Sequence, residues 1–211
     1  FGFFWAGGGR RAGRAPPRRF PAIERSGGLA ESAGSMVLGV ISDTHGYLDP
    51  QVFEIFDGVD HILHAGDLGT EGVAIELESL APVTAVGGNV DGHLAAGRFP
   101  PVKLFQAEGW TLLLVHEAMA GGSAVPSIQA PLRDHRPHLV IFGHSHKPYF
   151  GQVDDWYFFN PGSAGRKRFR LPRTVGRLVV RTGGEISGRL FSLEGRPGDE
   201  MRFVVPKGEG T

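Results

Sequence analysis

The sequence predicts an α/β fold in which parallel strands come first and antiparallel strands follow. Three observations carry the prediction. Short aliphatic and β-branched runs recur between residues 37 and 144. Helix-like segments separate several of them, the pattern of βα units around a parallel sheet. After residue 146 the helix-like segments cease, while strand-like runs continue with turn residues between them.

In chain order, "VLGVIS" (37–42) opens the series, followed by "HILHAG" (61–66), "VTAVGG" (83–88), "TLLLVH" (111–116) and "HLVIFGH" (138–144). These runs are apolar with little alternation, so they read as strands covered on both faces of a central, largely parallel sheet. "PQVFEIFDG" (50–58), "TEGVAIELESL" (70–80) and "PSIQAPLRDHR" (126–136) read as helices. "PYFGQVDDWYFFN" (148–160), "TVGRLVVRTGG" (174–184) and "EISGRLFSL" (185–193) read as antiparallel strands. The tail from Gly195 reads as loop with one short strand, "MRFVV" (201–205).

A chain of 211 residues with 41% hydrophobic and 21% charged residues can bury the core of one domain. Cys is absent. That excludes disulfides and thiolate metal sites, leaves nitrogen and oxygen as metal donors, and suits a reducing, cytoplasmic setting. No stretch approaches the ~18 apolar residues of a membrane span, so no membrane partner is expected. Residues 1–35 hold six Arg and two Glu, against 16 basic and 20 acidic residues in the remainder. An acidic body argues against nucleic acid as a general partner. A homo-oligomer is compatible with the sequence.

Residues 1–35 have no periodicity, and their apolar piece precedes the arginines, the wrong order for a secretory signal. They are expected to be a disordered extension or translated sequence upstream of a start at Met36, with a transit peptide as the alternative. Residues 36–211 are expected to form a single domain.

The apolar runs end in polar residues: Asp43 and His45, Gly66 and Asp67, Gly88 and Asn89, His116, then Gly143, His144, Ser145 and His146. In a parallel sheet the crevice beyond the strands' carboxyl ends is where ligands and catalytic groups collect. Two carboxylates, one carboxamide and four imidazoles gather there, more donors than one divalent transition ion takes. They suit two ions if a carboxylate bridges them. Any one of these pieces alone is an ordinary turn. Together they are costly to bury without a metal to satisfy them. Gly66, Gly88 and Gly143 each precede a donor, where a sharp turn needs permissive backbone angles and a side chain would crowd the site.

Asp43-x-His45, Gly66-Asp67, Gly88-Asn89, His116 and Gly143-His144-x-His146 resemble, in order, the motif set of the calcineurin-like metallophosphoesterase superfamily. "GVISDTHG" (39–46), "HAGD" (64–67), "GNVD" (88–91), "GHSHKP" (143–148) and "NPGS" (160–163) are similar to its small bacterial and archaeal phosphodiesterase branch. The resemblance spans about residues 36–193 and implies a four-layer αββα sandwich. It implies that Asp43, His45, Asp67 and His146 hold one ion, and that Asp67, Asn89, His116 and His144 hold the other, with Asp67 bridging. Asn89 and His116 would act catalytically with the metals. Two divalent ions are the expected cofactors, Mn first and Fe, Ni or Zn as alternatives, with a small phosphate ester as substrate. The implied reaction is phosphodiester hydrolysis by metal-activated hydroxide. A phosphomonoesterase or nucleotide hydrolase is the alternative enzyme. A non-catalytic scaffold similar to a subunit of the eukaryotic retromer coat is the alternative from another class.

Two departures from the pattern matter. Larger members of the superfamily carry His directly after the Asn, where this chain has Val90 and then Asp91, which leaves the general acid unassigned. His93 is the candidate to serve there in substrate binding, against its reading as an exposed loop histidine. His116 is followed by Glu117, where relatives more often show Gly. His64 reads as a hydrogen-bonded core histidine, and His61, His135 and His138 as surface residues. "NPGS" reads as a turn supporting the metal-binding loops. The basic run Arg166, Lys167, Arg168, Arg170 and Arg173 reads as a solvated loop, with steering of an anionic substrate as the alternative.

Overall fold

The computed structural model describes residues 34–94, 98–167, 170–194 and 201–207. Except for Gly34 and Ser35, the expectation for residues 1–35 lies outside them. The elements run β1 (Ser35–Ile41), α1 (Pro50–Ile55), β2 (His61–His64), α2 (Glu71–Glu78), β3 (Val83–Ala85), β4 (Val102–Ala107) and β5 (Trp110–Val115). A small hairpin follows, β6 (Met119–Ala120) and β7 (Ser123–Ala124), then a 3₁₀ turn (Pro126–Ile128) leading into α3 (Gln129–His135). The remainder is β8 (Leu139–Ile141), β9 (Tyr149–Val153), β10 (Trp156–Asn160), β11 (Thr174–Arg181), β12 (Glu185–Ser192) and β13 (Arg202–Pro206).

The strands form two main sheets, not the single central sheet that the apolar runs suggest. Six strands lie in the order β13-β12-β11-β1-β2-β3 and five in the order β4-β5-β8-β10-β9. β1, β2 and β3 are mutually parallel, as are β5, β8 and β10, while the flanking pairings are antiparallel. An unbroken apolar run reports that both faces of a strand are covered, not what covers them. Here one cover is the other sheet. Leu38, Val40, Leu63 and Leu178 of the larger sheet pack against Trp110, Leu112, Leu139, Ile141 and Phe159 of the smaller.

Helices close the two outer faces. Val52 and Phe56 at α1 and Val73 and Leu77 of α2 bury against Ile41, Ile62 and Val175. Ile128 and Leu132 bury against Leu113, Val115, Val140 and Phe158. The result is the four-layer αββα sandwich. Asp49 caps α1, its side chain accepting from Gln51 N at 3.0 Å, with Pro50 at the first helical position. No helix among the described residues is long and apolar enough to cross a membrane.

Two pieces are additions to the sequence reading. β4 mixes half-buried and exposed residues on a sheet edge, a weaker signal than the central runs, and joins β5 through Glu108 and Gly109, both with positive φ. β6 and β7 span two residues each, too short for any periodicity.

Candidate metal centre

The two parallel sets point their carboxyl ends at the same edge of the sandwich. Asp43 and His45 follow β1, Asp67 follows β2 and Asn89 follows β3, all on the larger sheet. His116 follows β5 and His144 and His146 follow β8, both on the smaller. Backbone bonds lace these loops together: Asp43 N to Gly66 O at 3.0 Å, His45 N to Asp67 O at 2.9 Å and Gly143 N to His116 O at 3.0 Å.

Five of the seven predicted donors hold left-handed backbone: Asp43 (φ 53°), His45 (48°), Asp67 (55°), His144 (66°) and His146 (57°). Such conformations cost about 1–3 kcal/mol each in non-glycine residues and persist only where the surroundings over-determine them. The three glycines divide between the turn and room-making roles that their positions suggest. Gly66 alone has positive φ, at 90°. Gly88 and Gly143 supply room, since a Cβ on Gly143 would stand 2.6 Å from Asp43 Oδ2 and one on Gly88 would overlap Asp67 Oδ1.

Asp43 and Asp67 are both buried. His144 N lies 3.1 Å from each Asp43 oxygen, Ser42 Oγ lies 2.7 Å from Oδ2, and His146 Nε2 lies 3.3 Å from Oδ1. Asp67 Oδ1 accepts from Val90 N at 3.0 Å, which leaves Oδ2 facing His116 Nε2 at 3.4 Å and His45 Nε2 at 3.7 Å. Burial would raise the Asp67 pKa, but contact with His116, the Val90 N–H and the charges of His116 and His45 hold it well below the usual carboxylate range. Burial likewise works against protonation of His116, yet Asp67, the Ala65 carbonyl and Asp43 outweigh it and raise its pKa.

His116 supplies the test of whether a metal fits. Its Nδ1 lies 2.9 Å from Ala65 O, which makes Nδ1 the donor of the neutral ring. Nε2 is then a buried lone pair without a hydrogen-bond partner, aimed at a carboxylate. Two facing acceptors call for a cation between them. Ligand atoms of Asp43, Asp67 and His116 lie within 4.8 Å of one another, as do those of Asp43, His45 and His146. The donor set of imidazoles and carboxylates suits divalent transition ions. Asn89 and His144 stand at the exposed rim, with Asn89 Nδ2 3.4 Å from His144 Nδ1 and the His144 ring 5.3 Å from that of His116. His144 falls outside the two tight groups of acids and histidines. His93 is exposed on the loop after Asp91.

The surrounding residues brace the donors. Asp91 is buried and accepts from the N–H groups of Leu68 (3.1 Å), Gly69 (2.8 Å) and Gly88 (2.8 Å), so it clamps the Asp67 loop to the Asn89 loop. The sequence signal for it is the acid of "GNVD", two residues after Asn89. His64 is the expected core histidine: Nδ1 accepts from Gly66 N at 3.2 Å, and Nε2 lies 3.0 Å from Thr44 Oγ1. Complete burial lowers its pKa to about 4. Asn160 donates to Gly143 O at 2.7 Å, and Ser163 Oγ donates to Asp43 O at 3.0 Å, so the "NPGS" turn supports the loops that carry Asp43 and His144.

Other expectations fare unevenly. His135 is exposed, but His61 and His138 are half-buried, paired with Thr84 Oγ1 at 2.8 Å and Thr111 N at 3.0 Å. In the basic run, Arg173 is tied to Asp49 at 2.6 Å, Lys167 to Glu194 at 2.8 Å, and Arg166 lies over the Tyr47 ring. Arg168 lies outside the described residues.

Two mixed sheets that set buried carboxylates and imidazoles at a common edge define a metallophosphoesterase-like protein. Residues 36–183 match the model of the calcineurin-like phosphoesterase superfamily domain, and the chain belongs to that superfamily. It is 34% identical over 155 residues to a probable metallophosphoesterase of Methanothermobacter thermautotrophicus, covering 71% of this chain and 88% of the relative. It is 28% identical over 167 residues to a phosphodiesterase of Methanocaldococcus jannaschii, covering 68% of this chain and 92% of the relative. Among solved structures, Vps29 of Chaetomium thermophilum is similar in fold, with a TM-score of 0.68 at 17% identity over 82% of this chain and 97% of that one.

Proposed function

We propose that this protein is a dinuclear, metal-dependent phosphodiesterase. The observation that carries the reading is the position of Asp67 Oδ2, 3.7 Å from His45 Nε2 and 3.4 Å from His116 Nε2. One oxygen thus faces an imidazole from each of two donor groups, the placement a bridging ligand needs. Asp43, His45, Asp67 and His146 would hold one divalent ion, and Asp67, Asn89, His116 and His144 the other, with Mn first among Mn, Fe, Ni and Zn. Ions at such a site supply an activated water and neutralise charge on the phosphoryl oxygens.

The chain's own residues do the rest. The Asp91 clamp and the Val90 N–H hold Asp67 with Oδ2 turned inward. The Ala65 carbonyl fixes the His116 tautomer. Asn89, at the exposed rim, can present its amide to a phosphate oxygen. Val90 is exposed and apolar where larger relatives place an imidazole read as a proton donor or phosphate orienter; without a general acid there, esters with acidic leaving groups react best. The phosphodiesterase name of the Methanocaldococcus relative supports the diester reading.

The test is hydrolysis of bis(p-nitrophenyl) phosphate and p-nitrophenyl phosphate by chelator-stripped protein given Mn²⁺, with His116→Ala alongside. Expected are recovery with metal, preference for the diester, and a loss of about 10³-fold or more in the variant, since the metal contributes several kcal/mol. Folded protein that hydrolyses neither ester with any divalent ion would overturn the enzyme reading and favour a scaffold.

A further inference from the structure

The donors of this site differ in how their outer atoms are held. Asp43 receives the His144 N–H and the Ser42 hydroxyl, Asp67 receives the Val90 N–H, and His116 gives its Nδ1 proton to the Ala65 carbonyl. Each bond fixes which atom remains for the ion. His144 stands apart: its backbone is left-handed and its ring is exposed at the rim. Its Nδ1 lies 3.4 Å from Asn89 Nδ2. Its outer nitrogen, Nε2, faces the carboxylate of Glu117, with Oε1 at 3.9 Å.

Glu117 is the residue directly after His116, at the end of β5 and before the β6–β7 hairpin. Its backbone is therefore placed by the same strand end that places a donor, while its side chain reaches toward a donor delivered by the neighbouring strand β8.

Resting on the dinuclear reading above, we propose that Glu117 is the positioning residue for His144 and sets the affinity of the rim ion. At 3.9 Å the carboxylate stands just beyond hydrogen-bond reach of Nε2. Closing that gap, it would accept the Nε2 proton of the tautomer whose Nδ1 lone pair is free and make Nδ1 a stronger donor, as the Ala65 carbonyl at 2.9 Å does on the other ring nitrogen of His116. Being charged, it also adds attraction for the cation. The two ions are thus held differently: one by buried Asp43 and Asp67 with half-buried His45 and His146, the other by buried Asp67 and His116 with Asn89 and His144 at the exposed rim.

The experiment is calorimetric titration of the chelator-stripped full chain with Mn²⁺, comparing wild type, Glu117→Ala, Glu117→Gln and, as a control for net charge, Asp155→Asn in the turn between β9 and β10. Two binding steps are expected in wild type. Glu117→Ala should weaken one step by about 10–100-fold, the usual effect of losing such a partner, and leave the other within about twofold. Glu117→Gln, which keeps an acceptor without the charge, should fall between, and Asp155→Asn should match wild type. Raising the salt from low to high should reduce the gap between wild type and Glu117→Gln. Two intact steps in Glu117→Ala, or equal weakening of both, would overturn the role of Glu117 while leaving the dinuclear reading standing. A wild-type chain that binds no Mn²⁺ would instead overturn the dinuclear reading, and this role with it.

Discussion

His116 Nε2 and Asp67 Oδ2 face each other at 3.4 Å, both buried, with no hydrogen bond between them. A proton or a metal ion must neutralise that contact, and the two compete for it. Because Asp67 raises the His116 pKa, the proton is held in the metal-free protein above the ordinary histidine range. Metal binding near pH 7 should therefore release protons, and affinity should fall as pH drops. Mn²⁺ titrations in buffers of different ionisation enthalpy measure the count. Binding without proton release would contradict this account of the contact.

Gly88 and Gly143 predict a separation of folding from metal binding. Alanine at either position adds one methyl group pressed against a site carboxylate, Asp67 or Asp43, and also against backbone: Asp67 N at Gly88 and, less tightly, Ala65 O at Gly143. Displacing that carboxylate should cost more in metal affinity than in stability: a tenfold or greater loss of Mn²⁺ binding, against destabilisation of about 1–3 kcal/mol. Denaturant melts of stripped protein beside metal titrations check this. Unchanged metal affinity in Gly88→Ala would show that Asp67 has room to move.

Asp91 touches no donor side chain, yet three N–H groups converge on it. In Asp91→Asn one oxygen becomes an N–H donor aimed at another donor. The expected cost is about 1–3 kcal/mol of stability, the penalty of a buried group left unpaired. Both the melting temperature and metal affinity should drop, because the Asp67 and Asn89 loops are no longer clamped together.

His64 predicts a pH window. Its folded-state pKa is lowered to about 4 from the ordinary 6.5, so the unfolded chain binds the proton more readily. Stability is complete above about pH 6.5 and is lost as pH falls toward 4, by up to about 3 kcal/mol for a shift of this size. His61 and His138, also lowered, act in the same direction. Chemical denaturation of stripped protein at pH 7 and pH 4.5 measures the change. A His64→Asn variant should show a shallower slope; an unaltered slope would remove His64 as its source.

Much of the site was legible in the sequence because its donors follow strands, and a strand end is a local event. Asp43, His45, Asp67, Asn89, His116, His144 and His146 each follow an apolar run that the structure shows as a strand. Asp91 was visible as an acid but not as a clamp, since its partners at residues 68 and 69 are more than twenty positions away. The half-burial of His61 and His138 was equally hidden, because each depends on a partner from a different strand.

The sequence by itself determined the order and chemistry of the donors and the parallel start of the fold, because hydrophobic runs and their polar ends are properties of a few consecutive residues. Only the tertiary structure decided that these runs divide between two sheets and that five donors sit in left-handed backbone. It also decided which of the two expected glycine roles each plays: Gly66 takes positive φ, while Gly88 and Gly143 make room for carboxylates. Those outcomes depend on what lies across a gap between distant segments, and burial read from a single run carries no record of the neighbour that provides it.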